Sequence, residues 1–181
     1  MPQIKTQRTA QPPTRIGYGF DSHEFRSGIP LKMGGVVLPH DKGLGGHSDG
    51  DVLLHALTDA LLGAVAAPDI GALFPPSDPK WKGADSSVFL REALKRANDA
   101  GYAVANVDSS LILAAPKIGP HAARIRDHIA QILGVPSDCI GLKAKTPEGL
   151  NLENTVVAHV VVLLQKRRNS KLARKKQKKQ K

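Results

Sequence analysis

The chain has a single cysteine, Cys139, so no intrachain disulfide can form, and a reducing compartment such as the cytoplasm fits that composition. No apolar run approaches the roughly 18 residues needed to span a bilayer, so no membrane segment is predicted. Acidic residues are missing from both ends. Met1–Arg15 holds three basic residues and no acid, and the stretch from Lys166 onward holds ten and no acid. The formal charge of +10 therefore misleads, because residues 16–165 carry only 13 of the 26 basic residues against all 16 acids, a net of −3. Residues 1–14 lack the apolar core of a signal peptide and the serines of a transit peptide, and read as a disordered leader. Residues 166–181 lack apolar periodicity and read as a basic, disordered tail. No aromatic is interleaved with its lysines, so only nonspecific contact with nucleic acid or anionic surfaces is expected of it. Residues 15–165 remain. They make one domain, long enough to bury a core.

What is present centres on Gly45-Gly46-His47-Ser48-Asp49-Gly50-Asp51 and the apolar run that follows. Val52, Ala56, Leu57, Ala60, Leu61, Ala64 and Val65 recur at three- and four-residue steps, which predicts a helix with one buried stripe. Ser48 stands three residues before Asp51, as in a capping box, and Asp49 and Asp51 place negative charge at the positive end of the helix dipole. His55 falls one turn from both Asp51 and Asp59, so the three can share a face, with Asp59 a candidate acceptor for the imidazole. The flanking glycines free backbone amides at the helix mouth, an arrangement suited to phosphate. Taken alone, His55 also fits a satisfied structural histidine.

Upstream, Arg15–Phe20 reads as a strand running into Asp21-Ser22-His23. Residues two apart on a strand point to one face, so the Asp21 carboxylate and His23 imidazole converge. With His55 on the helix they make three N/O ligands and an open fourth position, the pattern of a catalytic zinc site.

Along the rest of the chain, Ile29–Leu38 is predicted as a hairpin broken by Gly34-Gly35, and Pro39–Gly46 as a loop. Pro68–Gly71 ends the central helix, and Phe74–Gly83, with its prolines, is a loop suited to a lid. Asp85 or Ser86 caps a second helix ending at Gly101, and Ile118–Leu133 is a third, stopped by Gly134. Tyr102–Ala115, Ile140–Lys145 and Thr155–Leu164 are strands, the last so uniformly apolar that burial on both faces is expected. The fold class is α/β (α+β), a single-layer mixed sheet packed with helices.

The stretches GYGFDSHEF, GGHSDGDVLLHALTDALLGA, DIGALFPPSDPKWKGADS, GYAVANVDSSLILAAPKIGPH and LKAKTPEGL closely resemble the 2-C-methyl-D-erythritol 2,4-cyclodiphosphate synthase family, over roughly residues 15 to 165. The resemblance implies a lyase of the non-mevalonate isoprenoid pathway that forms a cyclic diphosphate from a cytidine diphosphate substrate and releases CMP. It also implies a homotrimer with active sites between subunits. By the same resemblance Asp21, His23 and His55 hold Zn2+, and Glu148 holds a second divalent cation, Mg2+ or Mn2+. His47 and Thr146 are the implied catalytic stabilisers. Ser48 joins them around the phosphates, Asp69, Ile70 and Gly71 grip the erythritol hydroxyls, and Ser22, Phe74 and Asp78 are further implied substrate-binding residues. Leu113-Ala114-Ala115-Pro116-Lys117-Ile118-Gly119 matches the family's cytosine-binding turn. His40, His121, His128 and His159 match nothing functional and are expected on the surface or in packing.

Three departures from the family pattern stand out. Pro76 replaces the first acid of its F-P-D-x-D-P loop, and Lys145 replaces the first hydroxyl of its T-T-T-E segment, adding a cation beside the phosphates. The family's G-F-x-G-R-x-E-G-I-A segment lines the trimer axis and carries an arginine linked to an isoprenoid diphosphate. Here it is shortened to Asn151–Ala158, without that arginine. Two other readings stay open on the residues alone: a silent trimer acting as a scaffold through its basic tail, and a general zinc phosphohydrolase.

Overall fold

The computed structural model describes residues Pro12–Arg167; residues 1–11 of the predicted leader and 168–181 of the predicted tail lie outside them, whereas Thr14 and Lys166, placed in leader and tail by the sequence, already belong to strands, with Lys166 N donating to Pro13 O at 2.8 Å. A mixed five-stranded sheet runs in the order β4-β1-β7-β5-β6, from β1 (Thr14–Ser27), β4 (Lys42–Leu44), β5 (Tyr102–Ile112), β6 (Ile140–Lys145) and β7 (Thr155–Lys166). Only β5 and β6 are parallel. The pair β2 (Leu31–Met33) and β3 (Val36–Leu38) forms the predicted hairpin, with Gly34 and Gly35 both in the left-handed region at its turn. Among the described residues, the helices are α1 (Val52–Ala64), the single turn α2 (Ile70–Leu73), α3 (Ser87–Asp99) and α4 (Ala122–Leu133). None is long and apolar enough to cross a membrane.

β1 is longer than predicted, so Asp21 and His23 lie inside the strand rather than at its end. Its side chains alternate: Gly17, Gly19, Asp21 and His23 face α1, while Ile16, Tyr18 and Phe20 face away. Strand and helix meet backbone to backbone, because glycine on β1 opposes Ala56, Ala60 and Ala64, one turn apart on α1.

The expectation that β7 is buried on both faces is corrected. Val156, Ala158, Val160, Val162 and Leu164 are fully buried under the helices, but Val161 on the opposite face is 43% exposed. Beside it on β1, Ile16 is 71%, Tyr18 57% and Phe20 50% exposed. Within one chain, helices cover only one face of the sheet. The apolar run on β7 thus spans two different environments, one face under the helices and the other left uncovered by them.

The start of α1 also differs from the capping-box expectation. The helix begins after Asp51, whose carboxylate accepts from Leu54 N at 3.0 Å and from Gly34 N and Gly35 N at 2.9 and 2.6 Å. Ser48 lies too early to cap and turns elsewhere. Burial pushes the Asp51 carboxyl above its ordinary value, and the three amides only partly offset this. One carboxylate therefore fastens the hairpin to the helix. Asp51→Ala leaves three buried amides without an acceptor and is expected to cost about 3 kcal/mol, with Asp51→Asn falling between the two. Urea unfolding measures it, and a loss under about 1 kcal/mol would mean that water replaces the carboxylate.

Two smaller corrections concern the other helices. Ser86 occupies the cap position of α3 without capping it, while the Asp85 carboxylate accepts from Ser87 N at 2.8 Å. The third predicted helix begins with a 3-10 turn at Gly119–His121, and α4 ends at Gly134 in the left-handed conformation, as its sequence requires.

Candidate active site

Three atoms on β1 and α1 meet. Asp21 Oδ2, His23 Nε2 and His55 Nδ1 are mutually 3.0 Å apart, and among the described residues they form a group able to hold a metal ion. Ligands about 2.0–2.2 Å from one ion sit roughly this far apart. The triangle also fits a cation better than protons, since two imidazole nitrogens facing one carboxylate oxygen and each other cannot all be satisfied donors. Burial raises the Asp21 carboxyl, but hydrogen bonds from His23 and His55 and their nearby charge outweigh it, holding the group well below the usual carboxylate range.

The expected acceptor for the His55 imidazole was wrong. Asp59 points to the next element, where its Oδ1 accepts from Ile70 N at 2.8 Å and fixes the start of α2. The outer nitrogen of His55 lies instead 2.8 Å from Ser86 Oγ and 3.0 Å from Ser48 Oγ.

The triad opens into a cavity of about 170 Å³, also lined by His47, Ser48, Ile70, Gly71 and Phe74. His47 is exposed on the loop before α1, and Gly83 N donates to its carbonyl at 2.9 Å. Asp69 caps α2 through Ala72 N at 2.7 Å, and Asp78 caps a 3-10 turn at Pro79–Trp81 within the predicted lid loop. Ser22 faces away, although its amide donates to Asp21 Oδ1 at 2.9 Å. Pro76, the first departure from the family loop, lies in the cavity wall.

Sequence reasoning missed three side chains here. Phe89 and Trp81 line the cavity and pack on Phe74 at ring-centroid distances of 4.6 and 5.0 Å, and on each other at 5.6 Å. Ser86 is fully buried beside His55. For the aromatics the signal was their rarity: three of only seven Phe, Tyr and Trp residues in the chain stand between Phe74 and Phe89. For Ser86 there was none, because a serine before a helix reads as a cap.

The remaining predicted residues form a second depression of about 290 Å³, lined by Leu113, Ala114, Pro116, Lys117, Ile118 and Gly119 with Lys145 and Thr146. Ala115 is exposed in the same turn. Glu148 stands at φ +51°, a backbone conformation uncommon outside glycine, and its carboxylate accepts from Thr146 Oγ1. The two depressions share no lining residue, so the predicted site is split within one chain. Of the other histidines, His40 packs on Phe25, His128 hydrogen-bonds Gly34 O at 2.9 Å, and His159 lies 2.9 Å from the Tyr18 hydroxyl, as expected of packing residues.

Comparison with known proteins bears on this geometry. The model of the YgbB family matches residues 14–165. The chain belongs to the YgbB family. A 2-C-methyl-D-erythritol 2,4-cyclodiphosphate synthase of Koribacter versatilis is 67% identical over 153 residues, 84% of this chain and 99% of its relative. The chloroplastic synthase of Arabidopsis thaliana is 52% identical over 86% of this chain and 68% of its own length. A solved 2C-methyl-D-erythritol-2,4-cyclodiphosphate synthase described as a bound form with CDP superposes at TM-score 0.78 and 47% identity, over 83% of this chain and 99% of that one. Membership in the YgbB family fits both the mixed sheet and the open triad.

Proposed function

We propose that the chain is a 2-C-methyl-D-erythritol 2,4-cyclodiphosphate synthase. It converts 4-diphosphocytidyl-2-C-methyl-D-erythritol 2-phosphate to the 2,4-cyclodiphosphate and CMP. The observation that carries this is the Asp21–His23–His55 triangle at the mouth of the first cavity, in a chain 67% identical to a named synthase. In the step, an oxygen of the 2-phosphate attacks the β-phosphorus, the bond from that phosphorus to the oxygen bridging the α-phosphate breaks, and CMP leaves with that oxygen. The nucleophile is anionic and tethered, so positioning and charge stabilisation supply the rate. That is why neither cavity needs an activated serine or cysteine.

Asp21, His23 and His55 would hold zinc, which when bound supplies a Lewis acid to the diphosphate. His47 and Ser48 donate to the phosphate nearest α1. The start of α2, with Asp69, Ile70 and Gly71, positions the erythritol hydroxyls, and the Phe74–Trp81–Phe89 wall excludes water from them. Thr146 holds the other phosphate, Glu148 would hold a second cation, Mg2+ or Mn2+, and the 113–119 turn reads the cytosine.

The two halves come together between copies of the chain. The split depressions and the uncovered apolar face of Ile16, Tyr18, Phe20 and Val161 support a homotrimer with interfacial sites. Sedimentation should give three times the 19.3 kDa chain mass. The cytoplasm remains the proposed compartment, on the single cysteine alone, whereas the plant relatives carry chloroplastic names. Incubation with the cytidine diphosphate substrate should yield CMP and the cyclic product in equal amounts. Linear phosphate products would instead assign a phosphohydrolase, and no product would assign a scaffold.

Lys145 lines the second depression next to Thr146, with its side chain exposed. Lys145→Thr is expected to lower kcat/KM by the worth of a charge-assisted hydrogen bond, about 1.5–3 kcal/mol, with the loss shrinking in high salt. Unchanged kinetics at low salt would show that the ammonium stays in solvent.

A further inference from the structure

The outer nitrogen of His55 sits at the end of a line of contacts that the mechanism above does not use. Nε2 lies 2.8 Å from Ser86 Oγ, and Ser86 is fully buried. The Ser86 hydroxyl donates to Asp49 Oδ1. Asp49 Oδ2 lies 2.9 Å from Lys32 Nζ, which also reaches Asp85 Oδ2 at 3.4 Å. The amides of Ser86 and Asp51 donate to the same Asp49 carboxylate at 3.3 and 3.4 Å. The line thus begins on β2, crosses the loop before α1, touches the start of α3 and ends at the triad.

We infer that Ser86 and Asp49 are positioning residues for metal binding, which fix neutral His55 with its proton on Nε2 and turn the bare Nδ1 toward the ion. This rests on reading Asp21, His23 and His55 as the metal site. The argument is one of proton counting. An ionised carboxylate has no proton to give, so the proton in the Ser86–Asp49 bond belongs to Ser86. The serine oxygen then offers His55 only lone pairs, and the imidazole must donate from Nε2. A neutral imidazole carries one N–H, so Nδ1 is left as a lone pair. The other partners of the Asp49 carboxylate, the Lys32 ammonium and the two amides, are all donors as well, so its oxygens act here as acceptors.

No other neighbour of that nitrogen performs the same task. Ser48 Oγ is also in reach at 3.0 Å, but among the described residues its hydroxyl makes no onward hydrogen bond to an acidic group, and it rotates to donate or accept. Asp59 is committed to the Ile70 amide. Ser86 alone has its proton direction set by a carboxylate, and its burial removes water as a competing partner.

Two measurements test this. In metal-free wild-type protein, at a pH where the imidazole is neutral, long-range 15N–1H NMR should find His55 protonated on Nε2. Zinc affinity, measured by chelator competition, should then fall about 10–100-fold in Ser86→Ala and in Asp49→Asn, and stay within about threefold in Ser86→Thr, which keeps the hydroxyl. Zinc binding is read beside thermal melting, so that loss of structure is not mistaken for loss of affinity. A wild-type His55 protonated on Nδ1 overturns the inference, whatever the variants do. So does an Asp49→Asn variant that binds zinc like wild type while Ser86→Ala does not, because the carboxylate would then not set the proton. Wild-type protein that takes up no zinc would bring down the metal reading itself, and the relay with it. Wild-type protein that takes up one zinc per chain, with variants of equal affinity, would bring down the relay alone.

Discussion

His55→Ala is expected to empty the zinc site and to lower turnover by at least about 1,000-fold while the chain still folds. A Lewis acid at a phosphoryl centre is worth several kcal/mol, and each 1.36 kcal/mol is a factor of ten in rate. Removing His55 Nδ1 leaves Asp21 and His23 3.0 Å apart with no third ligand. Two ligands bind zinc weakly, and the open catalytic pattern needs three. The fold is expected to survive because the start of α1 hangs on Asp51, not on His55. The cost is the void left by the ring beside Phe89 and the two hydroxyls, of Ser48 and Ser86, that lose their partner. That amounts to about 2–3 kcal/mol. His55→Gln, which keeps a polar group of similar reach, should lose activity to the same degree with a smaller change in melting. Metal analysis and CMP release are the readouts. One zinc per chain together with wild-type turnover in His55→Ala would end the assignment.

The triad was legible in the sequence because both of its periodicities are local. Asp21 and His23 share a face by the two-residue repeat of a strand, and His55 was placed by the stripe of its own helix. The hairpin at Gly34-Gly35 and the stop at Gly134 were legible for the same reason, since the residue type at one position decides the backbone there. What was not legible depended on distant segments. Asp51 caps α1 because it also has two hairpin amides to satisfy, and nothing within a window around Ser48 reveals them. Ser86 faces inward because Asp49 and His55 meet it from other elements. The apolar run of β7 could not disclose that its two faces differ, because a face buried under helices and a face the helices leave uncovered can have the same apolar composition.

The contact between Gly19 and Ala56 lies under both fold and site, and replacing that glycine should damage both at once. A Cβ built on Gly19 would stand 1.8 Å from Ala56 O and 2.7 Å from Ala60 N, closer than any real carbon approaches. These are backbone atoms of α1, so no side chain can swing aside. Strand and helix would have to separate along the seam where Gly17 makes the same approach to Ala60 O. That seam is central to the packed core, so Gly19→Ala is expected to cost more than about 3 kcal/mol, and Gly19→Val to prevent folding. The site follows from the chain order: Asp21 is two residues beyond Gly19 on the same face of β1, and His55 immediately precedes Ala56. Any separation of the backbones at Gly19 opens the 3.0 Å triangle between Asp21, His23 and His55. Gly19→Ala molecules that do fold should therefore bind zinc poorly, under conditions where the comparison variant Gly28→Ala does not. Gly28 lies at φ +81° with nothing near its missing Cβ, so its substitution costs only the backbone term of about 1 kcal/mol. Urea unfolding and zinc titration of the two variants side by side separate backbone strain from collision. Gly19→Ala with the melting and zinc affinity of wild type would mean that β1 and α1 do not meet as closely as they are placed.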